Sequence, residues 1–422
     1  MRLSIDAGRL QGQIDALAAI TEAKPPVVTR VLFSEADVRA RAFVKSLCRE
    51  LDLAIREDAI GNIFARWPGV SPGLPPVATG SHIDAIPNAG RYDGVVGVLG
   101  ALESFRALRQ AGFQPNRSLE LIIFTAEEPT RFGIGCLGSR LLAGALAPEK
   151  IAALRDREGV SLGGWRLKAG LASIKTGGSP DTGWVEATRL ERRCYSAFIE
   201  LHIEQGPLLE QEDIPIGVVE RIAAPGTVKM QLTGVGGHAG AVLMPDRHDA
   251  LLAGAEIALA VENAARGTGR SDTVGTTGVF QIEPGAVNSV PCRARLEIDV
   301  RDTEAGPRDG VMEQVERAGR EICLRRGIHC EIERVNADAP ALCDETLVQT
   351  VIDVCAGLGL KARKMISRAY HDSLFMAQVC PTTMIFIPCR DGVSHRPDEY
   401  SSPEQIRDGV AVLAGTLMKL TS

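Results

Sequence analysis

Short apolar runs alternate with helical patterns in the first part of the chain and again near its C-terminus. Strand-sized apolar runs lie at 77–79, 119–125, 198–203 and 382–388. Residues 94–110 carry the apolar spacing of a helix, and 402–420 form a second amphipathic segment, which Pro403 can open at its first turn. This alternation predicts an α/β domain with a mixed, mainly parallel sheet and helices on both faces.

Between these regions the order of predicted elements changes. Residues 228–335 read strand, helix, strand, strand, helix, strand. This order is the split pattern of a ferredoxin-like α+β domain. We therefore expect such a domain to be inserted at 218–333, so that 1–217 and 334–422 form one discontinuous domain. The one loose stretch, 177–182, is expected to be a surface loop.

Composition excludes several classes of protein. The 422 residues are too many for a single small binding module. The formal net charge of −6 gives no general attraction to nucleic acid or anionic lipid, and no apolar run reaches the length of a membrane span. The start of the chain lacks the apolar core of a secretory signal, and the ten cysteines contain no C-x-x-C pair. These features predict reduced thiols and a cytoplasmic protein.

Three histidines and several carboxylates lie at or just after the ends of the predicted strands. His82 follows the first strand, His202 lies near the end of a later one, and His395 follows the last strand by a short loop. Asp93 opens a helix, and the pair 127–128 is Glu-Glu directly after a buried strand. Because the carboxyl ends of parallel strands form one crevice, we expect these side chains to converge.

Such a set of imidazoles and carboxylates suits two divalent metal ions per subunit. Asp93 is the natural bridging carboxylate, and the spare Glu127 beside Glu128 is the natural general base. Asp84, two residues after His82, can accept the second imidazole proton and fix the tautomer. Ligands that are all nitrogen and oxygen permit manganese, zinc or cobalt, and manganese is the expectation.

The chain also resembles a known family in the order of its motifs. These motifs are His82-x-Asp84, Asp93-Gly94, Glu127-Glu128, His202, Gly236-Gly-His-Ala-Gly240 and His395. In this order they are similar to the M20-type binuclear metallohydrolases, and the segment 201–207 resembles the amidase branch of that family. The resemblance implies His82, Asp93 and His202 at one metal, and Asp93, Glu128 and His395 at the other. It also implies a homodimer joined through the inserted domain.

The same resemblance implies a set of substrate-binding residues. His238, from the neighbouring subunit, would hold the oxyanion of the attacked carbonyl. Residues expected to contact the substrate directly are Gln205, Asn288, Arg301, Tyr370 and His371. A guanidinium grips a carboxylate bidentately, although Arg301 could equally be a strand residue in local ion pairs.

The expected activity is hydrolysis of a linear ureido C–N bond. Segments 367–373 and 384–395 resemble those of branch members that act on (S)-ureidoglycolate. This resemblance implies that the substrate is cleaved to glyoxylate, ammonia and carbon dioxide in purine breakdown. Hydrolysis of allantoate or of an N-carbamoyl-L-amino acid is the nearest alternative. A metallopeptidase and a non-catalytic metal-binding protein also remain open.

Overall fold

The chain divides into two compact units. The computed structural model describes residues 3–171 and 183–422, so the loop predicted at 177–182 lies outside the described residues. The first unit comprises Met1–Glu220, Leu342–Met365 and His371–Ser422, and the second comprises Arg221–Ala341 and Ile366–Tyr370. The second unit ends beyond the predicted residue 333 because its last strand continues to Ala337. No sequence pattern indicated that 366–370 would join this unit.

The elements follow the chain in three blocks. The first block contains α1 (Ala7–Ala18), β1 (Val28–Arg30), α2 (Glu35–Glu50), β2 (Ala54–Glu57), β3 (Ile63–Trp67), β4 (Val77–His82), β5 (Ala85–Ala89), α3 (Val95–Gln110), β6 (Leu119–Phe124), α4 (Leu137–Ala143), α5 (Pro148–Ala153), α6 (Leu162–Lys168), β7 (Ala197–Ile203), α7 (Leu208–Gln211) and β8 (Ile216–Ile222). The second contains β9 (Ala224–Thr233), β10 (Gly237–His238), α8 (Ala250–Gly267), β11 (Val274–Glu283), β12 (Ser289–Val290), β13 (Arg293–Asp302), α9 (Ala305–Arg326) and β14 (His329–Ala337). The third contains β15 (Ala341–Leu342), α10 (Glu345–Leu358), β16 (Ala362–Ser367), α11 (Ser373–Met376), β17 (Thr382–Ile387) and α12 (Pro403–Thr421).

A large mixed sheet forms the centre of the first unit. Its strand order is β15-β8-β17-β7-β4-β6-β3-β2, with β16 paired to β8. The four central strands β17, β7, β4 and β6 are parallel, whereas β3 and β8 pair antiparallel to their inner neighbours. Every residue of β6, β7 and β17 is buried, as strands covered on both faces require. The predicted α/β class is confirmed, with parallel pairing at the centre of the sheet.

Strand β4 continues as far as His82, one of the predicted metal ligands, because it packs closely against β6. The sequence predicted a strand at 77–79, but parallel pairing with β6 continues to His82, opposite Phe124. Gly80 permits this approach, because a Cβ there would lie 1.8 Å from the carbonyl oxygen of Ile122. His82 is therefore the last residue of a buried strand rather than part of a loop.

The second unit contains a four-stranded antiparallel sheet in the order β11-β13-β9-β14. Helices α8 and α9 pack on it, with Leu296 and Ile298 of β13 in the same core cluster as Val311 and Val315 of α9. Helix α8 begins at Ala250 rather than at the predicted 246, since the Asp249 side chain caps it by accepting a hydrogen bond from the Leu252 N–H. Strand and helix order follow the βαββαβ pattern.

The cysteines serve mainly as small buried side chains. All ten are free thiols, and seven of them are buried. Across residues 3–171 and 183–422, no helix combines the length and the apolar character needed to cross a membrane.

Candidate metal centre and active site

The carboxyl ends of the central strands bring two groups of potential metal ligands together. One group is His82, Asp93 and His202, and the other is Asp93, Glu128 and His395. Within each group the ligand atoms lie within 4.8 Å of one another. Asp93 belongs to both groups, so the two candidate sites share one carboxylate.

Each oxygen of the Asp93 carboxylate faces a different group. Oδ1 lies 3.1 Å from Nε2 of His202 and 3.4 Å from Nε2 of His82, while Oδ2 lies 3.1 Å from Nε2 of His395. Glu128 Oε1 lies 3.3 Å from the same His395 nitrogen. This is the arrangement that a carboxylate bridging two cations needs.

Main-chain carbonyls orient the two strand histidines. Nδ1 of His82 lies 3.1 Å from the carbonyl oxygen of Asp84, and Nδ1 of His202 lies 2.9 Å from that of Ile203. A proton on each Nδ1 satisfies these carbonyls and leaves Nε2 as the ring nitrogen that faces Asp93 and could bind a cation. The Gly94 N–H donates to Nε2 of His202 at 3.1 Å, which agrees with a lone pair on that nitrogen.

The cluster favours positive charge strongly. Burial opposes ionisation of Asp93, but hydrogen bonds with His202, His395 and His82 outweigh it and hold the pKa of Asp93 well below its usual range. Burial also disfavours a charged His82, yet Glu127, Asp84 and Asp93 raise the pKa of that imidazole well above its ordinary value. The cluster therefore contains buried groups that are stabilised by added positive charge. Since imidazole and carboxylate groups are also ligands of divalent cations, the cluster fits a pair of these ions.

The turn after β6 presents two glutamates to the site. Ala126 has a left-handed backbone (φ 54°), and Glu127 and Glu128 follow it, both largely buried. Glu127 Oε2 lies 3.8 Å from Nε2 of His82, whereas Glu128 turns to His395. Burial, together with the charges of Glu128 and other nearby carboxylates, raises the pKa of Glu127 well above its ordinary value, and burial with the Asp93 charge raises the pKa of Glu128 to about 7.

Asp84 supports this turn as well as His82. Its carboxylate accepts hydrogen bonds from the main-chain N–H groups of Glu127 at 3.3 Å and Glu128 at 3.1 Å. The carboxylate is 3.5 Å from Nδ1 of His82, farther than the Asp84 carbonyl oxygen, which is therefore the main acceptor for that proton. Sequence reasoning placed this role on the side chain, because a main-chain carbonyl has no signature in the sequence.

Two residues that sequence reasoning did not identify hold Asp93 in place. Glu399 Oε1 accepts hydrogen bonds from the N–H groups of Tyr92 and Asp93 at 2.8 and 3.1 Å. The Ser394 hydroxyl lies 2.9 Å from Asp93 Oδ2 and 2.8 Å from Glu399 Oε2. Ser394 and Glu399 both lie near His395 in the sequence, after the last strand. That proximity was the signal by which the sequence could have identified them.

Two of the predicted substrate-binding residues of the first unit contact the metal ligands. The Gln205 amide donates to Asp93 Oδ2 at 2.7 Å. His371 is buried, with its ring centroid 4.5 Å from that of His202 in an edge-to-face arrangement. It also forms a third group of potential ligands with Glu200 and His202. Direct substrate contact by Gln205 and His371 stays a prediction.

The other predicted substrate-binding residues lie in the second unit, as two pairs. His238 is exposed on β10, and the Asn288 carbonyl oxygen accepts the Ala239 N–H at 2.8 Å, which places Asn288 beside it. Arg301 on β13 donates from Nη1 to the carbonyl oxygen of Arg368, two residues before Tyr370. Arg301 also pairs with Asp299 at 2.7 Å, as the local ion-pair alternative expected.

Comparison with known proteins gives consistent matches over the chain. Residues 78–419 match the model of the peptidase family M20/M25/M40. Ureidoglycolate hydrolase from Arabidopsis thaliana is 51% identical over 422 residues, covering 99% of this chain and 87% of that protein. The crystal structures of AtUAH in complex with glyoxylate and with (S)-hydroxyglycine each superpose with a TM-score of 0.92 at 50% identity, covering 99% of this chain and 98% of theirs.

Gly94 provides a test of the metal centre that replaces none of the proposed ligand residues. A Cβ at Gly94 would lie 2.5 Å from the His82 imidazole, and the residue has φ +65°. Gly112, just after the same helix α3, has φ +74° but open space around a Cβ. Both alanine variants should lose stability through backbone strain, by about 1 kcal/mol. Gly94→Ala alone should also displace His82 and lower the bound metal, measured by elemental analysis beside thermal unfolding. Equal metal content in the two variants would contradict the assigned role of His82.

Proposed function

The chain belongs to the peptidase family M20/M25/M40, and from that membership we propose that it is a metal-dependent amidohydrolase acting on (S)-ureidoglycolate. The products are glyoxylate, carbon dioxide and two molecules of ammonia, because the substrate carries two nitrogens and neither glyoxylate nor carbon dioxide carries any. The observation that carries this proposal is the Asp93 carboxylate shared by two ligand groups, with the buried Glu127 carboxylate beside them. Support for the substrate comes from the 51% identity to a ureidoglycolate hydrolase over the whole chain.

The metal ions are assigned to His82, Asp93 and His202 on one side and to Asp93, Glu128 and His395 on the other. When bound, divalent cations polarise the carbonyl under attack and make a water molecule easier to deprotonate. Manganese is our first choice, with zinc or cobalt as substitutes, because all the donors are nitrogen or oxygen.

Glu127 is assigned the proton transfers. Its carboxylate takes a proton from the attacking water and returns it to the nitrogen that leaves the ureido carbon. A carboxyl group whose pKa is raised by burial holds a proton more readily than an exposed one, which suits the second step.

Recognition of the substrate carboxylate is assigned to Arg301. Asp299 lies against the side of the guanidinium, 2.7 Å from Nε and 3.4 Å from Nη2, and fixes its plane. At the outer edge of the guanidinium, Nη1 and Nη2 each present one N–H group. We assign this edge to a bidentate interaction with the substrate carboxylate. Asn288 and His238 are assigned to the ureido group, with His238 holding the oxyanion.

A homodimer through the second unit would let His238 act in the neighbouring subunit. The exposed position of His238 supports this arrangement, as do the neighbouring apolar side chains of Leu243 and Met244, each 68% exposed, and of Val287, which is fully exposed. Strand β11 is an edge of its sheet, so its outer main-chain groups are available for pairing. We assign the enzyme to the cytoplasm, where its ten free thiols are stable.

The two neighbouring glutamates should give different defects when each is changed to glutamine. Glu127→Gln should keep its metal and lower kcat by roughly 100-fold or more, the contribution of a general base. Glu128→Gln and Asp93→Ala should lose metal, because each removes a ligand oxygen. Elemental analysis and ammonia release from ureidoglycolate separate these outcomes. Full activity in Glu127→Gln would refute the mechanism.

Subunit mixing tests whether His238 acts across the dimer. His238→Ala and Glu127→Gln, each inactive alone, should regain activity when mixed and allowed to exchange subunits, because one site of each heterodimer then holds both groups. A mixture of Asp93→Ala with Glu127→Gln serves as the matched control, since each of the two active sites of that heterodimer then contains one of the defects. An active monomer in sedimentation experiments would contradict the arrangement.

The substrate hydroxyl gives the sharpest test of specificity. Ureidoglycolate should exceed N-carbamoylglycine, which lacks the hydroxyl, by roughly 10⁴ in kcat/KM at the favourable limit. We assign the hydroxyl to Tyr370 or His371, so Tyr370→Phe and Tyr370→Gly should narrow the gap, and Tyr370→Gly should admit bulkier ureides. Equal rates on the two compounds, or better turnover of allantoate, would move the assignment to another member of the amidase branch.

A further inference from the structure

The loop that follows Glu127 returns to it nine residues later. Consecutive N–H groups of Cys136, Leu137 and Gly138 donate to the carbonyl oxygens of Glu127, Ala126 and Thr125 at 2.7, 2.8 and 2.8 Å. Cys136 has a left-handed backbone (φ 53°) at the start of helix α4. The main chain thus holds this cysteine directly beside the glutamate.

The Cys136 side chain reaches one particular oxygen of the Glu127 carboxylate. Sγ lies 3.5 Å from Oε1, whereas Oε2 is the oxygen that lies 3.8 Å from Nε2 of His82. Cys136 is fully buried. In the described ranges, its thiol is the only side chain that donates a hydrogen bond to this carboxylate.

The thiol acts here as a donor. Burial raises the pKa of Cys136 well above its ordinary value, and the charges of Glu127 and Asp372 raise it further. The sulfur therefore keeps its proton, and an S–H group beside a carboxylate donates to it. Oxidation, which proceeds through the thiolate, is correspondingly disfavoured at this position.

We propose that Cys136 is a positioning residue for Glu127, and this inference rests on the proposed role of Glu127 as the base. The S–H···Oε1 hydrogen bond fixes the rotation of the carboxylate and keeps Oε2 turned toward the metal ligands. A carboxylate free to rotate would spend part of its time with neither oxygen aligned for proton transfer. Small errors of alignment at a reacting group reduce turnover rather than substrate binding.

Replacement of Cys136 tests the proposal in the metal-loaded, full-length protein. Cys136→Ala should lower kcat for ureidoglycolate by about threefold to tenfold, with KM and metal content unchanged, as expected for loss of one weak hydrogen bond to a charged group. Cys136→Ser, which restores a donor, should recover part of that loss. Cys48→Ala, at a fully buried cysteine of helix α2, controls for the general effect of removing a core sulfur.

A double-mutant cycle separates positioning from general packing. If Cys136 acts through Glu127, then Cys136→Ala should cause no further loss of kcat in the Glu127→Gln background. An undiminished kcat in Cys136→Ala, a further loss in the double variant, loss of metal, or equal rates for the serine and alanine variants would each overturn the proposal. Full activity of Glu127→Gln itself would instead refute the proposed base, so the two failures are distinguishable.

Discussion

The rest of the site depends on one interaction, the contact of the Asp93 carboxylate with three imidazoles. Its two oxygens contact His82 and His202 on one side and His395 on the other, within 3.4 Å. A buried carboxylate is costly unless positive charge surrounds it, and this one is shared between two groups of donors. The parallel sheet supplies that charge: adjacent strands lie about 4.8 Å apart, so histidines at the ends of β4 and β7 meet over one carboxylate.

The supporting residues follow from the same constraint. Glu399 holds the main chain at Asp93, while Asp84 holds the turn that carries both glutamates. Gly94 leaves the space that the His82 ring occupies. Each of these contacts restricts the position of a side chain in the site, as the proposed roles of Glu128 as a ligand and of Glu127 as the base require.

Chemistry and recognition are assigned largely to different units of the chain. The proposed ligands and the base lie in the first unit, whereas His238, Asn288, Arg301 and Tyr370 lie in the second. Within that unit, a hydrogen bond from Arg301 to the Arg368 carbonyl oxygen joins the residue that we assign to the substrate carboxylate to the segment that contains Tyr370. Under these assignments, changes in that segment would alter substrate choice while leaving the proposed metal ligands unchanged.

The sequence by itself determined the α/β class, the βαββαβ order of the second unit and the residue types of the metal centre. Largely apolar runs such as β6 and β17 favour a strand that is covered on both faces, and polar residues placed just after such parallel strands meet at one edge of the sheet. Only the tertiary structure decided how these groups are supported. The Asp84 carbonyl that orients His82, the contact of Cys136 with Glu127, and the attachment of 366–370 to the second unit depend on backbone positions that no residue type encodes. The side chains define which hydrogen bonds and contacts are possible, and tertiary packing determines which of these form.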